Sequence, residues 1–541
     1  MWPQTRGQAM RDVVAACALA AIAIPEQLAT ARLAGVPPAF GLIVFAGAAL
    51  GFFAFGANRY LSAGADSTIA PIFAGGLAAL AASGTPHYMT LAASLALMVG
   101  VLVAVAGLLS MGRISRLLSV PILTGFLAGI AIHIVVSQLP AFLGIPRGGS
   151  DFFGNAVNIA SNIGRTNVFA LAIGFSVFAF VTIMEKTGQR FPGALASVAL
   201  AAVAAALFRL NVPLLGHIQV PPFSPELPTI AASDLTQLLP IALIVSLVVM
   251  LQTAAVSRAF GGGDDQVNRD LVGVGVGGLL SGLLGGFAAN ASPPRTAIVK
   301  ESGGQSRLAG LLAMVLVVLF LVFLPGLLAY VPEAALAGLL MSVALRIFDT
   351  AKMKTIARQS RVEFVLLSVT ALAIVVMPIE TGVGVGIALS LLYGVWNITR
   401  TNAILFELIP GTTVWWPRSD AFKGETKPGI VVVGFQAPLF FLNAENFRAT
   451  LDQAVKSAPQ PVKAIVLETS SMVELDYSGA QALAELIRSW KARGTQFYVA
   501  RLISLRAQAA LKDFGILPLL AHQKTYESVH EAISQCGEDF R

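Results

Sequence analysis

Apolar residues dominate the chain up to residue 400, in runs long enough to cross a lipid bilayer. A transmembrane helix needs about 20 mostly apolar residues, and fourteen segments approach that length, or twelve if the shortest are rejected. The pattern predicts a polytopic α-helical membrane protein. The fourteen segments cover residues 12–32, 39–56, 62–82, 90–110, 120–143, 168–186, 192–209, 236–259, 270–288, 293–304, 307–329, 332–348, 361–378 and 382–400.

Two of these segments, the third and the tenth, carry polar residues where a span should be apolar. The third contains Asp66, Ser67 and Thr68 ahead of an apolar run, and the tenth contains Ser292 followed by Pro293. Proline is tolerated in the first turn of a helix, because its missing N–H has no helical partner there in any case. Both segments are therefore predicted to be half-helices that begin inside the bilayer, with two ordinary kinked helices as the alternative.

The two predicted half-helices occupy equivalent positions, since each is the third of seven consecutive segments. The N–H groups at a helix start carry a partial positive charge and bind anions. Two starts that face each other form an anion site near the middle of the bilayer, and interrupted helices at equivalent places in two repeats are typical of secondary transporters. The spacing therefore predicts a transporter with an anion site between the half-helices.

Glu26, Asp66 and Arg295 are charged residues at depth within the predicted spans. A charge inside a membrane is costly and usually faces a cavity or a partner. Arg295 is the candidate anion ligand, and the alternative is a purely structural ion pair with Glu26 or Asp66. Burial favours the neutral form of a carboxyl group, so Glu26 is a candidate proton carrier. Asp66 is ambiguous, because an N-capping carboxylate repels an anion unless it is protonated or paired.

Near residue 428 the pattern changes to short strands and amphipathic helices. Strands are predicted at residues 430–435, 463–469 and 496–500, and helices at 444–456, 478–493, 505–514 and 525–534. The second of these helices places Ala480, Leu483, Ile487 and Trp490 on one face, and Asn443 is expected to cap the first. Strands that alternate with helices predict a small α/β domain. We therefore predict a transmembrane transport domain over residues 1–417, a polar linker over 418–428 and an α/β domain over 429–541.

The composition supports this division. Of the 541 residues, 56% are hydrophobic and 12% charged, whereas soluble domains carry roughly 25% charged residues. This excludes an ordinary soluble enzyme, a disordered chain and a nucleic-acid-binding protein. Residues 428–541 hold 11 basic and 11 acidic residues, so the net charge of +7 belongs to the membrane part. Fourteen of its lysines and arginines fall on one side of the alternating spans and three on the other, which predicts that both termini are cytoplasmic.

Other kinds of site are not indicated. Cys17 and Cys536 lie at opposite ends of the chain and the five histidines are scattered, so neither a disulfide framework nor a metal site is expected. The glycines of a GxGxxG pattern, Gly273, Gly275 and Gly278, lie inside an apolar run, and close helix packing explains them better than nucleotide binding. No nucleophile–base pair appears. We expect no enzyme activity, no cofactor and a first span that is retained and not cleaved as a signal peptide.

Three motifs stand in order along the chain. Residues 24–42 read IPEQLATARLAGVPPAFGL, residues 285–304 read GGFAANASPPRTAIVKESGG, and residues 437–447 read APLFFLNAENF ahead of Asp476-Tyr477-Ser478-Gly479. The first two are similar to the first and tenth spans of the SulP/SLC26 anion transporters, and the third resembles their STAS domain. The resemblance covers nearly the whole chain, and the order of the motifs makes it specific.

This resemblance implies an inverted repeat of seven plus seven spans, divided into core and gate as in uracil permeases, with a cytoplasmic STAS domain. It implies a homodimer and elevator-like alternating access for a small anion of the sulfate, bicarbonate or dicarboxylate class. We expect H⁺ coupling, with Na⁺ as the other candidate ion, in a bacterial inner membrane whose lipid surrounds the spans. The residues expected to line the site are Glu26, Thr30, Asp66, Ser67, Thr68, Gln252, Ser292, Arg295 and Thr296.

The sequence departs from the family pattern at three positions. Gly64-Ala65, followed by an unusual Asp66, stands where many members have Gly-Pro ahead of the third half-helix. Pro294 stands where many have serine, and Gln252 stands where the eighth span often has glutamate. These differences leave Glu26 and Asp66 as the candidates for proton coupling. Ser478 occupies the position that is phosphorylated in related bacterial domains, and the alternative is a helix cap.

Three other functions remain open at the level of sequence. A passive anion channel is expected to carry current without coupling, and a regulatory protein led by its STAS domain is expected to bind partners without flux. A nucleobase permease fits least, because such proteins usually lack the STAS domain. The ligand of the STAS domain is not indicated.

Overall fold

The computed structural model describes residues 6–112, 119–146, 152–187, 193–216, 225, 227–229, 231–399, 402–419, 423–458 and 461–539. The chain forms two compact units, Met1–Ser390 and Leu391–Arg541. Residues 420–422 of the predicted linker lie outside the described residues. Each unit is described by itself below.

Every one of the fourteen predicted spans contains a helix. Two further helices, α6 and α15, lie between predicted spans. They were not predicted, because neither has an apolar run of membrane length. The elements are α1 (Arg6–Leu33), α2 (Ala39–Phe55), β1 (Ala63–Gly64), α3 (Ala70–Ala78), α4 (Pro86–Leu108), α5 (Val120–Leu143), α6 (Phe152–Asn162), α7 (Val168–Thr187), α8 (Gly193–Leu207), α9 (Ala232–Ala259), α10 (Asp264–Leu283), β2 (Asn290–Ala291), α11 (Pro293–Glu301), α12 (Leu308–Phe323), α13 (Pro325–Leu328), α14 (Glu333–Ile347), α15 (Thr350–Gln359), α16 (Arg361–Val376) and α17 (Ile379–Thr399).

The lengths of these helices vary. Among the described residues, five helical segments are long and apolar enough to cross a membrane by themselves, and one bent pair, α6 with α7, adds a sixth. Further apolar segments shorter than 18 residues are α2, α8, α12 and the stretch Thr381–Asn397 within α17. The exact count of fourteen spans stays a prediction, while the helical membrane architecture is clear.

The helix contacts repeat in pairs. When α1–α5 and α7 are matched in order with α9–α12, α14 and α16, the contact of α1 with α12 recurs as α9 with α4, and that of α2 with α12 recurs as α10 with α4. In the same way α5 packs on α16 as α14 packs on α7. This is the two-repeat fold that the sequence predicted. We call α1–α4 with α9–α12 the core group, and α5, α7, α8, α14 and α16 the gate group.

Glycines bring the central helices of the core group into backbone contact. A Cβ atom on Gly51 of α2 would lie 2.4 Å from the backbone nitrogen of Gly277, and one on Gly275 would lie 2.5 Å from that of Ala104 on α4. Small residues at close helix crossings are the usual way to pack helices in a membrane. Gly273 and Gly275 of the GxGxxG pattern therefore serve packing, as predicted.

The second unit is an α/β domain built on a six-stranded sheet in the order β4-β3-β5-β6-β7-β8. Strands β5 to β8 are parallel, and β3 pairs antiparallel with both β4 and β5. The predicted apolar face of α19 is buried against this sheet. The elements are β3 (Ala403–Leu408), β4 (Trp415–Pro417), β5 (Ile430–Phe435), α18 (Ala444–Lys456), β6 (Ala464–Glu468), α19 (Tyr477–Lys491), β7 (Gln496–Ala500), α20 (Leu505–Asp513), β8 (Thr525–Tyr526) and α21 (Val529–Asp539).

Two segments of this unit differ from the sequence-based boundaries. Residues 403–417, which the sequence pattern assigns to the transmembrane domain, supply β3 and β4, because the segment Ala403–Leu408 pairs with β5. The predicted helix over 525–534 starts as strand β8, where Tyr526 is buried, and α21 begins only at Val529.

Two helix caps also differ. The Asn443 side chain precedes α18 but bonds backwards, since its Oδ1 accepts from Phe440 N at 2.9 Å and its Nδ2 donates to Pro438 O at 2.8 Å. The cap of α19 is Asp476, whose carboxylate accepts from Gly479 N at 2.7 Å. Ser478 is exposed in the first turn of that helix and is not the cap. Its phosphorylation stays a prediction.

Candidate anion site

The two half-helices are joined through a pair of two-residue strands. Strands β1 and β2 run antiparallel, with Gly64 opposite Asn290. Beyond the pair, Ser292 N donates to Ser62 O at 2.9 Å, and Ser62 N donates to the Thr296 hydroxyl at 3.1 Å. The segments that precede α3 and α11 therefore cross inside the core group. The sequence predicted both half-helices but not the crossing, because two residues are too few to show strand alternation.

Arg295 in the first turn of α11 is fully buried. Its Nη1 donates to Ala65 O at 2.9 Å and lies 3.6 Å from Glu26 Oε2. Its Nε and Nη2 have no hydrogen-bond partner in the part of the chain that the structure describes. A guanidinium carries five N–H donors, and leaving a charged group unsatisfied in the interior is costly. The unused donors of Arg295 therefore suit an anion.

Helix α1 contributes the carboxylate partner and a clamp. Glu26 is buried and faces Arg295. The neighbouring Gln27 holds Ala65 from both sides, since its Oε1 accepts from Ala65 N at 2.7 Å and its Nε2 donates to Ala65 O at 2.9 Å. Gln27 therefore fixes the backbone that Arg295 also contacts. We did not predict it, although its place directly after Glu26 in the first motif was a usable signal.

Asp66 caps a turn that lies ahead of α3. Its Oδ1 accepts from Thr68 N at 3.0 Å and from the Thr68 hydroxyl, while α3 itself begins at Ala70. The half-helix therefore starts four residues later than Asp66, because Asp66 bonds to its own turn, as aspartates commonly do. Ser67, between Asp66 and Thr68, is buried.

A chain of side-chain amides links this turn to α9 and β2. Gln252 Nε2 donates to the Thr68 hydroxyl at 2.7 Å, and Gln252 Oε1 accepts from the amide of Asn290. Gln252 was predicted to line the site, whereas Asn290 was missed even though it lies within the second motif. The structure thus brings together two adjoining groups, one around Arg295 and Glu26, the other around Asp66, Thr68 and Gln252.

The remaining predicted hydroxyls divide by their partners. Thr296 is engaged, because its hydroxyl donates to Ser292 O at 2.7 Å. The hydroxyls of Thr30 and Ser292 are buried and find no partner among the described residues. Thr30 lies one turn after Glu26 on the same face of α1, and Ser292 directly precedes α11, whose first turn carries Arg295. These are the hydroxyls best placed to contact a ligand.

A small cavity lies beside Gln252 in the first unit. Its volume is about 20 Å³, enough for a water molecule. Its lining comes from α5, α9, α16 and α17 and is apolar apart from Gln252 and Thr370. The polar chain through Gln252 therefore reaches the boundary between the core group and the gate group.

Comparison with known proteins identifies the architecture. The profile of the Sulfate permease family matches residues 10–370, and that of the STAS domain matches residues 422–532. A probable sulfate transporter of Mycobacterium tuberculosis is 33% identical over 515 residues, which cover 93% of this chain and 92% of the relative. Solute carrier family 26 member 10 of Mus musculus is 25% identical over 577 residues, covering 99% and 85% respectively.

Solved structures match the fold as well. Murine Slc26a9 in its inward-facing state superposes with a TM-score of 0.89 at 19% identity, covering 99% of this chain and 92% of that one. The transmembrane domain of the cyanobacterial bicarbonate transporter BicA matches with a TM-score of 0.62 at 23% identity, covering 71% of this chain and 98% of that one. At these identities the likeness concerns the fold alone.

The family profile covers well over half of the chain, and the mycobacterial relative is similar along nearly its full length. Members of this family are multi-pass membrane transporters of anions. The predictions that the protein is a membrane transporter and not an enzyme are therefore confirmed. The chain belongs to the sulfate permease, or SulP/SLC26, family and carries a STAS domain.

Proposed function

We propose that this protein is a secondary active transporter of a small anion and that Arg295 binds the anion directly. The observation that carries the proposal is a fully buried guanidinium beside the crossing of two half-helices, with two nitrogen atoms that have no partner in the described part of the chain. Hydrogen bonds between a guanidinium and an oxyanion are charge-assisted and strong. Thr30 and Ser292 are proposed to add hydroxyl contacts, and the N–H groups that begin α3 and α11 add partial positive charge.

We propose sulfate as the first substrate to examine, with bicarbonate and dicarboxylates as the competing classes. The mycobacterial relative is named a probable sulfate transporter, and BicA is named a bicarbonate transporter. Each of these anions presents oxygen atoms that accept from a guanidinium. Pro294 supplies no side-chain hydroxyl, so the hydroxyls of Thr30 and Ser292, which have no partner among the described residues, are proposed to select among these anions.

Proton coupling is proposed to reside at Glu26. Its carboxylate lies 3.6 Å from Arg295 and competes with an incoming anion for the same guanidinium. Protonation of Glu26 removes that competing charge, so anion and proton bind together more favourably than either binds alone. Asp66 is the weaker candidate, because its Oδ1 is occupied by two donors of Thr68.

Alternating access is proposed to be an elevator-type movement of the core group against the gate group. Arg32 at the end of α1 forms an ion pair with Glu333 at the start of α14. This pair joins the two groups and is proposed to stabilise one of the two access states. The proposal also includes a homodimer in a bacterial inner membrane. Both termini are proposed to be cytoplasmic, because lysine and arginine are distributed asymmetrically between the two sides.

Proteoliposome uptake tests the proposal. Purified protein is reconstituted, and uptake of labelled sulfate, bicarbonate and succinate is measured with and without an inward proton gradient, then with a sodium gradient. We expect accumulation of one of these anions above equilibrium when the proton gradient is imposed. Rapid equilibration that ignores both gradients would support a passive channel instead. Binding of protein partners without any flux would support a regulatory role.

A further inference from the structure

A second cluster of positive charge lies away from Arg295, around a cavity under the loop that joins α2 to β1. The cavity has a volume of about 10 Å³, and its lining includes Phe53, Arg59, Tyr60, Ser62 and Arg307. Arg59 is exposed and Arg307 is partly exposed, so the two guanidinium groups form the solvent side of this lining. The cavity is only large enough for about one water molecule, and any larger ligand must lie against the two arginines.

The loop that carries Arg59 is held at its start. The Asp270 carboxylate on α10 accepts from Ala57 N and Asn58 N, each at 2.8 Å, and from the Ser257 hydroxyl at 2.6 Å. Arg307 donates to Gly56 O, so it is tied to the same loop. The loop therefore presents Arg59 and Arg307 as a preorganised pair.

The side chains under the two guanidinium groups are aromatic. The guanidinium carbon of Arg59 lies 4.9 Å from the ring centre of Tyr60, and the guanidinium carbon of Arg307 lies 5.9 Å from the ring centre of Phe53. Stacking of this kind orients a guanidinium and leaves its N–H edge available. Neither arginine forms an ion pair with a carboxylate within 4.0 Å among the described residues.

The electrostatic balance around the cavity is positive. Arg269 lies close enough to Arg307 to repel it, and Asp270 is the carboxylate that acts on Arg307 in the opposite sense. The Asp270 carboxylate is already taken by two loop amides and the Ser257 hydroxyl. The Ser62 hydroxyl, buried at the inner end of the cavity, has no partner in the described part of the chain. The cluster therefore offers positive charge and one unpaired hydroxyl, among the described residues, to an anionic group.

The apolar surroundings indicate a lipid and not a free ion. Leu50 and Phe55 on α2 are 45% and 51% exposed, so the helix that leads to Arg59 presents an apolar face outward. The loop lies on the side to which the arginine and lysine distribution assigns the cytoplasm, where anionic phospholipid headgroups bind basic pockets between helices. A phospholipid fits both the arginine pair and the apolar face of α2. Its phosphate would lie at the two arginines and its acyl chains along α2.

We propose that Arg59 and Arg307 bind the phosphate headgroup of an anionic phospholipid, at a site distinct from the Arg295 anion site. The loop that carries this site is hydrogen-bonded to the half-helix of the proposed anion site. The same loop ends at Ser62, whose backbone N–H and carbonyl both hydrogen-bond to the segment that begins α11. A headgroup that holds this loop stabilises the β1–β2 crossing.

Thermal unfolding of the full chain in a neutral detergent tests the site. Dioleoyl phosphatidylglycerol is added in one series, dioleoyl phosphatidylcholine in a second and inorganic phosphate in a third. A ligand that binds only the folded protein raises its melting temperature, and we expect phosphatidylglycerol to raise it by about 2–5 °C. Phosphatidylcholine and free phosphate are expected to give less than half of that rise.

Three variants accompany the wild type. Arg59→Gln is expected to lose most of the rise, and Arg59→Gln with Arg307→Gln is expected to lose all of it. Arg358→Gln removes an exposed arginine of α15 and should keep the full rise. The single Arg59 variant keeps the test valid if loss of the Arg307 bond to Gly56 prevents folding.

Equal stabilisation by the two phospholipids would overturn the proposal, as would an unchanged rise in the Arg59 variants. A full rise with free phosphate would show a site for small anions and would overturn the lipid assignment. The outcome is independent of the transport proposal, because no flux or transported anion enters the measurement.

Discussion

Two charged side chains, one in each unit, have opposite hydrogen-bonding environments. In the membrane unit, Arg295 is fully buried, but its Nε and Nη2 have no hydrogen-bond partner among the described residues. In the STAS unit, the Asp539 carboxylate is only partly buried, yet its Oδ2 accepts from the Tyr498 hydroxyl at 2.6 Å and lies 2.8 Å from the His522 ring nitrogen Nε2. Stability alone favours the second arrangement. The first is therefore the one that indicates a ligand.

The groups beside Asp539 and beside Arg295 also differ in how completely they are hydrogen-bonded. In the STAS unit burial raises the pKa of the Tyr498 hydroxyl and raises that of the Cys536 thiol to about 11, so both stay neutral at physiological pH. Their hydrogen bonds tie α21 to β7. In the membrane unit the carboxylate of Glu26 stands 3.6 Å from Arg295, a separation that leaves the pair incompletely bonded. One cluster is closed by its own hydrogen bonds, whereas the other is incompletely bonded, as the proposed anion site requires.

The largest effect is expected from Arg295→Gln. Truncation of one partner in a buried charged interaction costs about 2–5 kcal/mol, so anion uptake should fall at least about thirtyfold. Because Glu26 then lacks its partner, the double variant Glu26→Gln with Arg295→Gln should fold as well as wild type and still not transport. Proteoliposome uptake and melting temperature report the two properties. Arg358→Gln, on exposed α15, is the control that should transport normally.

Glu26→Gln should separate binding from coupling. The amide keeps the size of the side chain but cannot gain or lose a proton, so anion exchange should continue while the response to a pH gradient disappears. The ratio of uptake with and without the gradient measures this directly. Asp66→Asn serves as the matched variant and should retain most of the ratio. Loss of gradient response in Asp66→Asn alone would transfer the coupling role to Asp66.

Gln27→Ala should reduce uptake without removing any charge. The change deletes both hydrogen bonds to Ala65 and leaves its N–H without that partner, at a cost of about 1–3 kcal/mol. The displaced backbone also carries the carbonyl that Arg295 contacts, so uptake should fall about tenfold with a lower melting temperature. Gln359→Ala, exposed at the end of α15, should change neither property. Normal uptake by Gln27→Ala would show that the clamp is dispensable.

Asp539→Asn should have the smallest effect, confined to stability. Hydrogen bonds from Tyr498 and then His522 lower the pKa of the Asp539 carboxyl. A lowered folded-state pKa contributes stability above the ordinary value of 3.8, and this contribution disappears as the pH falls through the folded-state pKa. Hydrogen exchange of the α21 amides in the full chain should therefore be faster in the variant at pH 7. Anion uptake at pH 7 should be unchanged. A large loss of uptake would show that Asp539 contributes to transport and not to stability alone.

Sequence patterns predicted the parts of the fold that depend on long periodic segments. The fourteen apolar runs each contain a helix, and strands β5 and β7 have the predicted bounds. Shorter features escaped prediction for physical reasons. Strands β1 and β2 have two residues each, and β8 has two as well, so no alternation is visible. The strand Ala403–Leu408 was missed because an apolar segment after a predicted span resembles a continuation of the membrane region.

The candidate site was predictable in its charged residues and less so in its amides. Arg295 and Glu26 stood out because charges are rare in apolar spans. Gln27 and Asn290 carry no charge, and a glutamine or asparagine beside a motif does not reveal which backbone or side chain it will contact. Such contacts depend on two segments that lie far apart in the sequence, as Gln27 and Ala65 do. Single-sequence patterns contain no information about that pairing.

Equilibrium binding of labelled sulfate to the purified full chain tests the central assignment most directly, because it separates anion binding from movement. Wild type and Arg295→Gln are compared at pH 8, with bicarbonate and succinate as competitors. The account predicts saturable binding of sulfate or of its competitor in wild type, and binding at least about thirtyfold weaker in Arg295→Gln. Equal affinity in the two proteins would contradict the assignment of Arg295 as the anion ligand.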